Sequence, residues 1–160
     1  MKQLLVLACS ARKHGNLEVM PAIERYDGVA FRMLKKTPYD TDNVDIMILS
    51  AKYGLLYPSQ YIPDYNLKMR SDIVPKLKPQ VHQVMAEALQ RMRYDIVVLS
   101  MSQLYTTVFD QFVWPSTTTV YFVPGGIGVK LGFTKRWLVA TQTGQGREFA
   151  KHQFTRINQK

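Results

Sequence analysis

The sequence predicts a three-layer α/β/α fold around a central, mostly parallel sheet of four to five strands. Two patterns favour this fold. Apolar runs of four to six residues show no alternation between apolar and polar side chains, which is typical of strands buried on both faces. These runs alternate with segments whose apolar residues recur every three or four positions, as expected for helices that cover both sides of a parallel sheet.

The predicted elements follow one another in a regular order. The predicted strands are the apolar runs at residues 4–8, 46–49, 96–99, 118–123 and, as a fifth strand, 137–140. The predicted helices cover residues 28–36, a segment with Pro79 in its first turn, a segment capped by Ser102, and a last segment after Gly146. No repeat or linker interrupts this order, so we expect one domain over residues 1–160.

Composition excludes several classes of protein. No apolar run approaches the roughly 20 residues that cross a bilayer, and the run at residues 4–9 is short for a signal peptide. We therefore expect a cytoplasmic protein without membrane contact. A single cysteine, Cys9, excludes an internal disulfide and a multi-cysteine metal site. Because His14, His82 and His152 share no metal-ligand spacing, we expect no metal and no cofactor.

The formal net charge of +9 is unevenly distributed along the chain. Residues 114–160 hold seven Lys or Arg against one acidic residue, and residues 1–36 hold seven against three, whereas the middle is close to neutral. Such a field favours polyanionic partners, and we expect nucleic acid, in the form of double-stranded DNA. The alternative is that the charge serves solubility alone.

Small polar residues, glycines and cations follow each of the four main strands. They occupy residues 9–16, 50–54, 100–103 and 124–130. Because ligands of open α/β sheets bind at the carboxyl ends of the strands, we expect these segments to form one continuous rim that holds a phosphate and a base.

The segment after the second strand, residues 50–69, resembles a binding site more than any other part of the chain. It combines Ser50, Lys52, Asp64 and Asn66 with four tyrosines. A loop so rich in polar and aromatic groups at the end of a buried strand is typical of a functional site. The Asp64 carboxylate either orients water and stabilises a cationic sugar during glycosidic cleavage, or holds a structural turn.

Two further segments offer phosphate contacts. Gly125-Gly126-Ile127-Gly128 lacks the spacing of a dinucleotide fingerprint or a P-loop. Its glycines either let the backbone approach a phosphate or form a tight turn, and its apolar residues either wedge into a duplex or pack on the core. The cations beside it are Lys130, Lys135 and Arg136. After the first strand, Arg12 and Lys13 either neutralise a phosphate or lie in a solvated loop.

Part of the chain resembles known bacterial families. A motif that resembles the peroxide-stress family typified by YaaA consists of Tyr53-Gly54-Leu55-Leu56, Pro58, Ile62, Tyr65, Leu67 and Met69. A motif that is similar to a smaller bacterial and phage family consists of Cys9-Ser10, Lys13, Ala22, Tyr26, Phe31 and Ser50-Ala51-Lys52-Tyr53-Gly54-Leu55. The resemblance covers about the first 70 residues. More distantly, the order of strands and loops resembles the uracil-DNA glycosylase fold.

The resemblance implies work on nucleic acid. The peroxide-stress family is known for binding DNA and limiting oxidative DNA damage. In the uracil-DNA glycosylase fold, loops at the strand ends receive a base that is flipped out of the stack. The implied function is therefore a DNA glycosylase that cleaves the N-glycosidic bond of a modified or damaged base, in DNA repair or phage defence.

The glycosylase hypothesis assigns roles to three groups of residues. The expected catalytic residues are Asp64, Asn66, Lys52 and Ser50. The expected base-binding residues are Tyr53, Tyr65, Asn16 and Ser10. The expected phosphate-binding residues are Arg12, Lys13, Lys130, Lys135 and Arg136. Two alternatives stay open: a non-catalytic protein that binds bent or damaged DNA, and an enzyme that acts on a small nucleotide or nucleoside.

Overall fold

The apolar runs of the sequence form a sheet between helices. The computed structural model describes residues 2–15 and 18–158. The strands in that part of the chain are β1 (Lys2–Ala8), β2 (Met20–Pro21), β3 (Val44–Ser50), β4 (Gly54–Leu56), β5 (Tyr61–Ile62), β6 (Tyr94–Ser100), β7 (Thr119–Phe122) and β8 (Thr155–Arg156). The helices there are α1 (Ala22–Arg25), α2 (Val29–Lys36), α3 (Val74–Arg91), α4 (Gln103–Thr106), α5 (Ile127–Thr141) and α6 (Gly146–Gln153), with a 3₁₀ turn at Thr107–Phe109.

The main sheet has six strands in the order β4-β3-β1-β6-β7-β8. The four central strands are parallel, and Leu5 of β1 lies opposite Ile46 on one side and Val98 on the other. The short strands β4 and β8 pair antiparallel at the two edges. A separate two-stranded ladder joins β2 to β5. The predicted mostly parallel sheet is therefore confirmed, with one antiparallel strand added at each edge.

Two buried layers cover the faces of the sheet. The side chains of β1 alternate between them: Leu4 and Val6 pack in the layer that contains α3, whereas Leu5 and Leu7 pack in the other. Helices α2, α5 and α6 cover the second layer. Because β1 is buried on both faces, its sequence is continuously apolar. The three-layer α/β/α architecture is confirmed.

The predicted fifth strand at residues 137–140 is wrong, because this segment belongs to α5. The buried residues of this helix include Thr134, Trp137, Leu138 and Thr141, which share one helical face. Val139 lies on the other side and is 43% exposed. A short apolar run does not distinguish a buried strand from a helix, and here the polar threonines that complete the buried face concealed the helical period.

Two helix starts also differ from the prediction. Helix α3 begins at Val74, with a proline in its first turn, so Pro79 lies inside the helix. Ser102 precedes α4 as predicted, but its side chain makes no capping hydrogen bond. Within the described residues, the helices are too short or too polar to cross a bilayer. The cytoplasmic location stays a prediction.

Candidate functional site

The carboxyl ends of β1 and β6 lie where the connections of the sheet diverge. The chain leaves β1 for the face covered by α2, where Phe31 and Leu34 are buried. It leaves β6 for the opposite face, where Val108 and Phe109 pack in the same cluster as α3. In open α/β sheets such a switch point opens a crevice between the two strand ends, and ligands bind there.

A cavity of about 600 Å3 occupies this crevice, and we refer to it as the switch-point cavity. Its walls come from the segments after β1, β6 and β7 and from the start of α2. It is lined by residues 8–12, 28–31 and 100–103, and by Phe122, Gly125, Gly126, Ile127, Lys130 and Leu131. The first turn after β1 and the late glycine turn therefore meet around one opening, as expected from the sequence.

Two cations lie at the switch-point cavity. The Arg12 Nε atom donates to the Asp27 carboxylate over 3.2 Å, and most of the Arg12 side chain is exposed. The Lys130 Nζ atom donates to the carbonyl oxygen of Val123 and lies 4.0 Å from the centroid of the Phe122 ring. Partial burial lowers the pKa of Lys130. No Asp or Glu is among the described residues that line the cavity, so the field inside it favours an anion.

Two helices begin at this cavity. Helices α2 and α5 contribute their first residues, Val29 and Ile127, to its wall. In the described part of the chain, no side chain caps the start of either helix. The first backbone N–H groups of a helix lack partners within the helix, and the helix dipole makes this end positive. Both helix starts therefore add to the preference for an anion that the two cations create.

A second group of predicted residues forms what we call the tyrosine–lysine cluster: Lys13, Tyr26, Lys52, Tyr53 and Tyr65. The Tyr65 ring packs edge-on against the rings of Tyr26 and Tyr53, with centroids 6.3 and 5.2 Å away. The Lys13 and Lys52 ammonium groups lie 4.5 and 6.0 Å from the Tyr65 ring centroid. Neither lysine forms an ion pair within the described part of the chain, so both charges are available to an anion.

The hydroxyl groups of this cluster hold the loop in place. The Tyr65 hydroxyl lies 2.5 Å from the Tyr26 hydroxyl and 2.9 Å from Ser50 Oγ. Ser50 Oγ also accepts the backbone N–H groups of Lys52 and Tyr53, over 3.2 and 3.0 Å. Burial raises the pKa of Tyr26 to about 12, and burial raises the pKa of Tyr65 as well. Both phenols are therefore protonated at neutral pH, and the network positions the backbone of the turn.

The turn that presents Lys52 and Tyr53 depends on Gly54. The φ angle of Gly54 is +75°, in the left-handed region that favours glycine. The Gln80 side chain of α3 accepts the Leu55 N–H over 2.9 Å and donates to the Leu55 carbonyl oxygen over 3.2 Å. A Cβ atom at position 54 would lie 1.9 Å from Gln80 Oε1. Glycine is needed here both for the backbone angle and for the approach of Gln80.

The switch-point cavity and the tyrosine–lysine cluster are neighbours. The Tyr26 ring stacks on Phe31, with centroids 5.2 Å apart, and Phe31 lines the cavity. None of residues 50–69 lines the cavity, so residues 50–54 are not part of the continuous rim that we expected from four segments. Residues 67–69 line a smaller cavity of about 350 Å3 together with Cys9, Ser10, Ala11 and Ser102, so the end of this segment lies beside the switch-point cavity.

Neither Asp64 nor Asn66 lines the switch-point cavity. Asp64 is exposed, and its Oδ1 atom accepts the backbone N–H of Tyr65 over 2.9 Å, which fits the structural turn that we considered as the alternative. Asn66 is exposed as well. Asn16 lies outside the described residues, so its base-binding role stays a prediction.

Of the remaining predicted residues, Ser10 lies in the cavity wall and two cations lie on α5. Ser10 Oγ accepts the N–H of Gly28 over 3.2 Å and donates to the Arg12 carbonyl oxygen over 2.6 Å, so it ties two walls of the cavity together. Lys135 and Arg136 are exposed on α5, beyond the residues that line the cavity. Their phosphate-binding roles stay predictions.

Sequence reasoning missed two charged residues that hold the segment after β1. Asp27 accepts hydrogen bonds from Arg32 and Arg12, which lower its pKa to about 2. Arg25 is fully buried and donates to the carbonyl oxygen of His14 over 2.6 Å. An acidic residue followed by glycine at a helix start was the available signal for Asp27, whereas nothing in the sequence indicates that Arg25 is buried.

A family model decides where this chain belongs. The model for peroxide stress protein YaaA matches residues 3–132, which include the segments that line the cavity and form the cluster. The chain belongs to the peroxide stress protein YaaA family. A search of curated proteins found no match. The resemblance to this family that the sequence indicated is confirmed, and it extends well past the first 70 residues.

The glycosylase prediction is wrong, because the family that matches is one of peroxide stress proteins and not one of glycosylases. The geometry agrees with this correction. Most enzymes that hydrolyse glycosidic bonds place carboxyl groups beside the scissile bond. The described wall of the switch-point cavity contains none, and Asp64 is held in its own turn.

Proposed function

We propose that this protein is a non-catalytic DNA-binding protein of the peroxide-stress response, and that it recognises bent or damaged DNA. The observation that carries the proposal is membership of the peroxide stress protein YaaA family over residues 3–132. The sequence resemblance to that family implied DNA binding. The family match also favours this function over the small-molecule enzyme that we considered.

The placement of the cations supports DNA as the partner. Arg12 and Lys13 follow β1, Lys52 follows β3, and Lys130 follows β7. All four therefore lie at the carboxyl ends of the parallel strands. The net charge of +9 adds a long-range attraction for a polyanion. Contacts of lysine and arginine with phosphates supply most of the sequence-independent affinity for DNA. A duplex that lies across this edge would meet both the cavity mouth and the tyrosine–lysine cluster.

The chemistry of the two sites supports binding without catalysis. General acid–base catalysis needs a group that gains or loses a proton near neutral pH. Burial keeps the Tyr26 and Tyr65 phenols protonated at that pH. Asp64 accepts a hydrogen bond from its own loop. We therefore propose that Tyr26, Tyr65 and Asp64 take no part in acid–base catalysis.

Fluorescence anisotropy with labelled duplexes over a range of salt concentrations tests this function. Three duplexes are compared: an intact one, one with a bulge that bends it, and one that contains an oxidised guanine. We expect salt-dependent binding that is tightest for the bent or damaged duplexes. The double variant Lys13→Gln/Lys52→Gln should reduce the magnitude of the negative slope of log K against log salt concentration by about 2, since each lost phosphate contact removes about 0.9.

The matched control is Arg93→Gln. Arg93 is exposed directly before β6, at the amino ends of the parallel strands and away from the proposed DNA site. This variant should leave the slope unchanged, and Asp64→Asn should leave the affinity unchanged. The proposal fails if no duplex binds, or if Arg93→Gln lowers the slope as much as the double variant does. Mass spectrometry of the recovered DNA checks that it is not modified, and a cleaved or abasic product would refute the non-catalytic part.

A further inference from the structure

The switch-point cavity has the size and the position of a small-molecule site. Its volume of about 600 Å3 lies within the range of about 300–1,000 Å3 that is typical of ligand pockets. It lies at a topological switch point, where open α/β sheets bind their ligands. Contacts between surface cations and DNA phosphates do not require a cavity of this volume. The proposed DNA binding therefore leaves this cavity without an occupant.

The cations of the cavity select an anion. Arg12 uses its Nε atom on Asp27, and in the described part of the chain its two terminal nitrogens have no partner. Such a fork is suited to two parallel hydrogen bonds with a phosphate. Lys130 also lines the cavity, where the Val123 carbonyl oxygen accepts a hydrogen bond from its ammonium group and the face of Phe122 packs against it. A phosphate between Arg12 and Lys130 would meet positive charge from two sides and no described carboxylate in the wall.

The rest of the wall selects a flat and largely apolar body. The wall includes Phe122, which is partly exposed, and Phe31 and Met101, which are almost fully buried. At the rim, Val29 is 57% exposed and Ile127 is 75% exposed, although both are apolar. A ligand with a flat ring would cover Val29, Ile127 and the exposed part of Phe122 and remove them from water.

Polar groups in the wall are also available to such a ring. Gln103 lines the cavity, and within the described part of the chain its side chain makes no hydrogen bond to protein. The Gln103 amide offers two donors and an acceptor, which suits the edge of a heterocycle. The Ser100 hydroxyl is already bonded to Thr134 over 2.7 Å. The wall thus provides cations, apolar faces and a free amide in one enclosure.

We infer that the switch-point cavity binds a nucleotide unit, with its phosphate between Arg12 and Lys130 and its base between the apolar walls and Gln103. The unit comes either from a free mononucleotide or from an unstacked position of a nucleic-acid strand. Both sources present the same chemistry to the cavity. The inference goes beyond DNA binding, because a free mononucleotide can occupy the cavity in the absence of DNA.

Ser102→Trp tests the inference, because Ser102 is an exposed residue of the wall, and a tryptophan there adds a large side chain at the cavity without replacing a buried residue. Ser102→Ala is the matched control, since it removes the hydroxyl and leaves the space open. Calorimetric titration of the full chain with the common mononucleotides, with adenosine and with inorganic phosphate gives the first readout. A single-stranded oligonucleotide gives the second, and circular dichroism confirms that each variant is folded.

We expect a mononucleotide to bind the wild type more tightly than adenosine or phosphate does. Ser102→Trp should abolish this binding, Ser102→Ala should preserve it, and Arg12→Gln should weaken it about tenfold. If mononucleotides do not bind but Ser102→Trp alone weakens the oligonucleotide about tenfold or more, the unit comes from a strand. The inference is overturned if Ser102→Trp changes neither affinity. In that case duplex binding would still support the proposed function.

Discussion

The Gly54→Ala variant tests how the loop that carries Lys52 and Tyr53 is held. Two separate costs follow from the structure. The φ angle of +75° places an alanine in the left-handed region, at a cost of about 1–2 kcal/mol. The new Cβ would lie 1.9 Å from Gln80 Oε1, so the Gln80 side chain must move away.

The displacement of Gln80 carries the larger part of the expected effect. Its amide bonds both the N–H and the carbonyl oxygen of Leu55, which is 1% exposed. Leaving buried backbone groups without partners costs about 1–3 kcal/mol. The free energy of unfolding should therefore fall by about 2–5 kcal/mol in Gly54→Ala.

Gly144→Ala is the matched control for the cost of placing an alanine in the left-handed backbone region. Gly144 has a φ angle of +73°, but a Cβ there meets nothing within 4 Å. This variant should lose only about 1–2 kcal/mol. Urea unfolding followed by circular dichroism measures the free energy of unfolding of both variants. Adding Gln80→Ala to each variant isolates the contribution of the two hydrogen bonds between Gln80 and the Leu55 backbone. Equal losses in Gly54→Ala and Gly144→Ala would refute the role of Gln80.

Three further variants test the residues around the two sites. Tyr65→Phe removes the hydroxyl that bonds Tyr26 and Ser50 and should lower the free energy of unfolding by about 1–3 kcal/mol in urea titrations. Asp27→Asn should be less stable than the wild type above pH 3.8, the ordinary pKa of the carboxyl group. This difference should disappear as the pH falls through about 2, the pKa of Asp27 in the folded protein, and unfolding titrations at a series of pH values measure it. Arg25→Met removes a fully buried cation that bonds backbone carbonyl groups and should cost about 3 kcal/mol, with faster amide exchange in the segment after β1. No change in exchange there would contradict this role of Arg25.

The central fold could be predicted because its signals are local. The strands β1, β3, β6 and β7 are each buried, so each is a run of apolar residues that needs no tertiary information to be recognised. The edge strands β4 and β8 could not be predicted, because they contain only three and two residues. Their strand conformation depends on pairing with a neighbour that the sequence does not name.

The candidate site could be predicted only as far as topology determines it. Parallel strands bring their carboxyl ends to one edge, so Arg12, Lys52 and Lys130 were expected there before any geometry was known. Which loops share an opening depends on the face to which each connection crosses. Gln80 and Tyr26 shape the loop after β3 from distant parts of the chain. Tyr26 belongs to a sequence motif that does not indicate which residue it contacts, and Gln80 belongs to none.

Neighbouring side chains of the segment after β1 serve different sites, which gives a way to separate the two proposals. Arg12 lines the switch-point cavity and forms an ion pair with Asp27. The backbone of Lys13 pairs with that of Tyr26 in an isolated antiparallel β-bridge, and the Lys13 ammonium group lies over the Tyr65 ring. Successive side chains of an extended chain point to opposite sides, so consecutive cations can face different ligands. Lys13→Gln should weaken duplex binding and leave mononucleotide binding unchanged, whereas Arg12→Gln should weaken both. Equal effects of the two variants on mononucleotide affinity would mean that the chain has one anion site and not two.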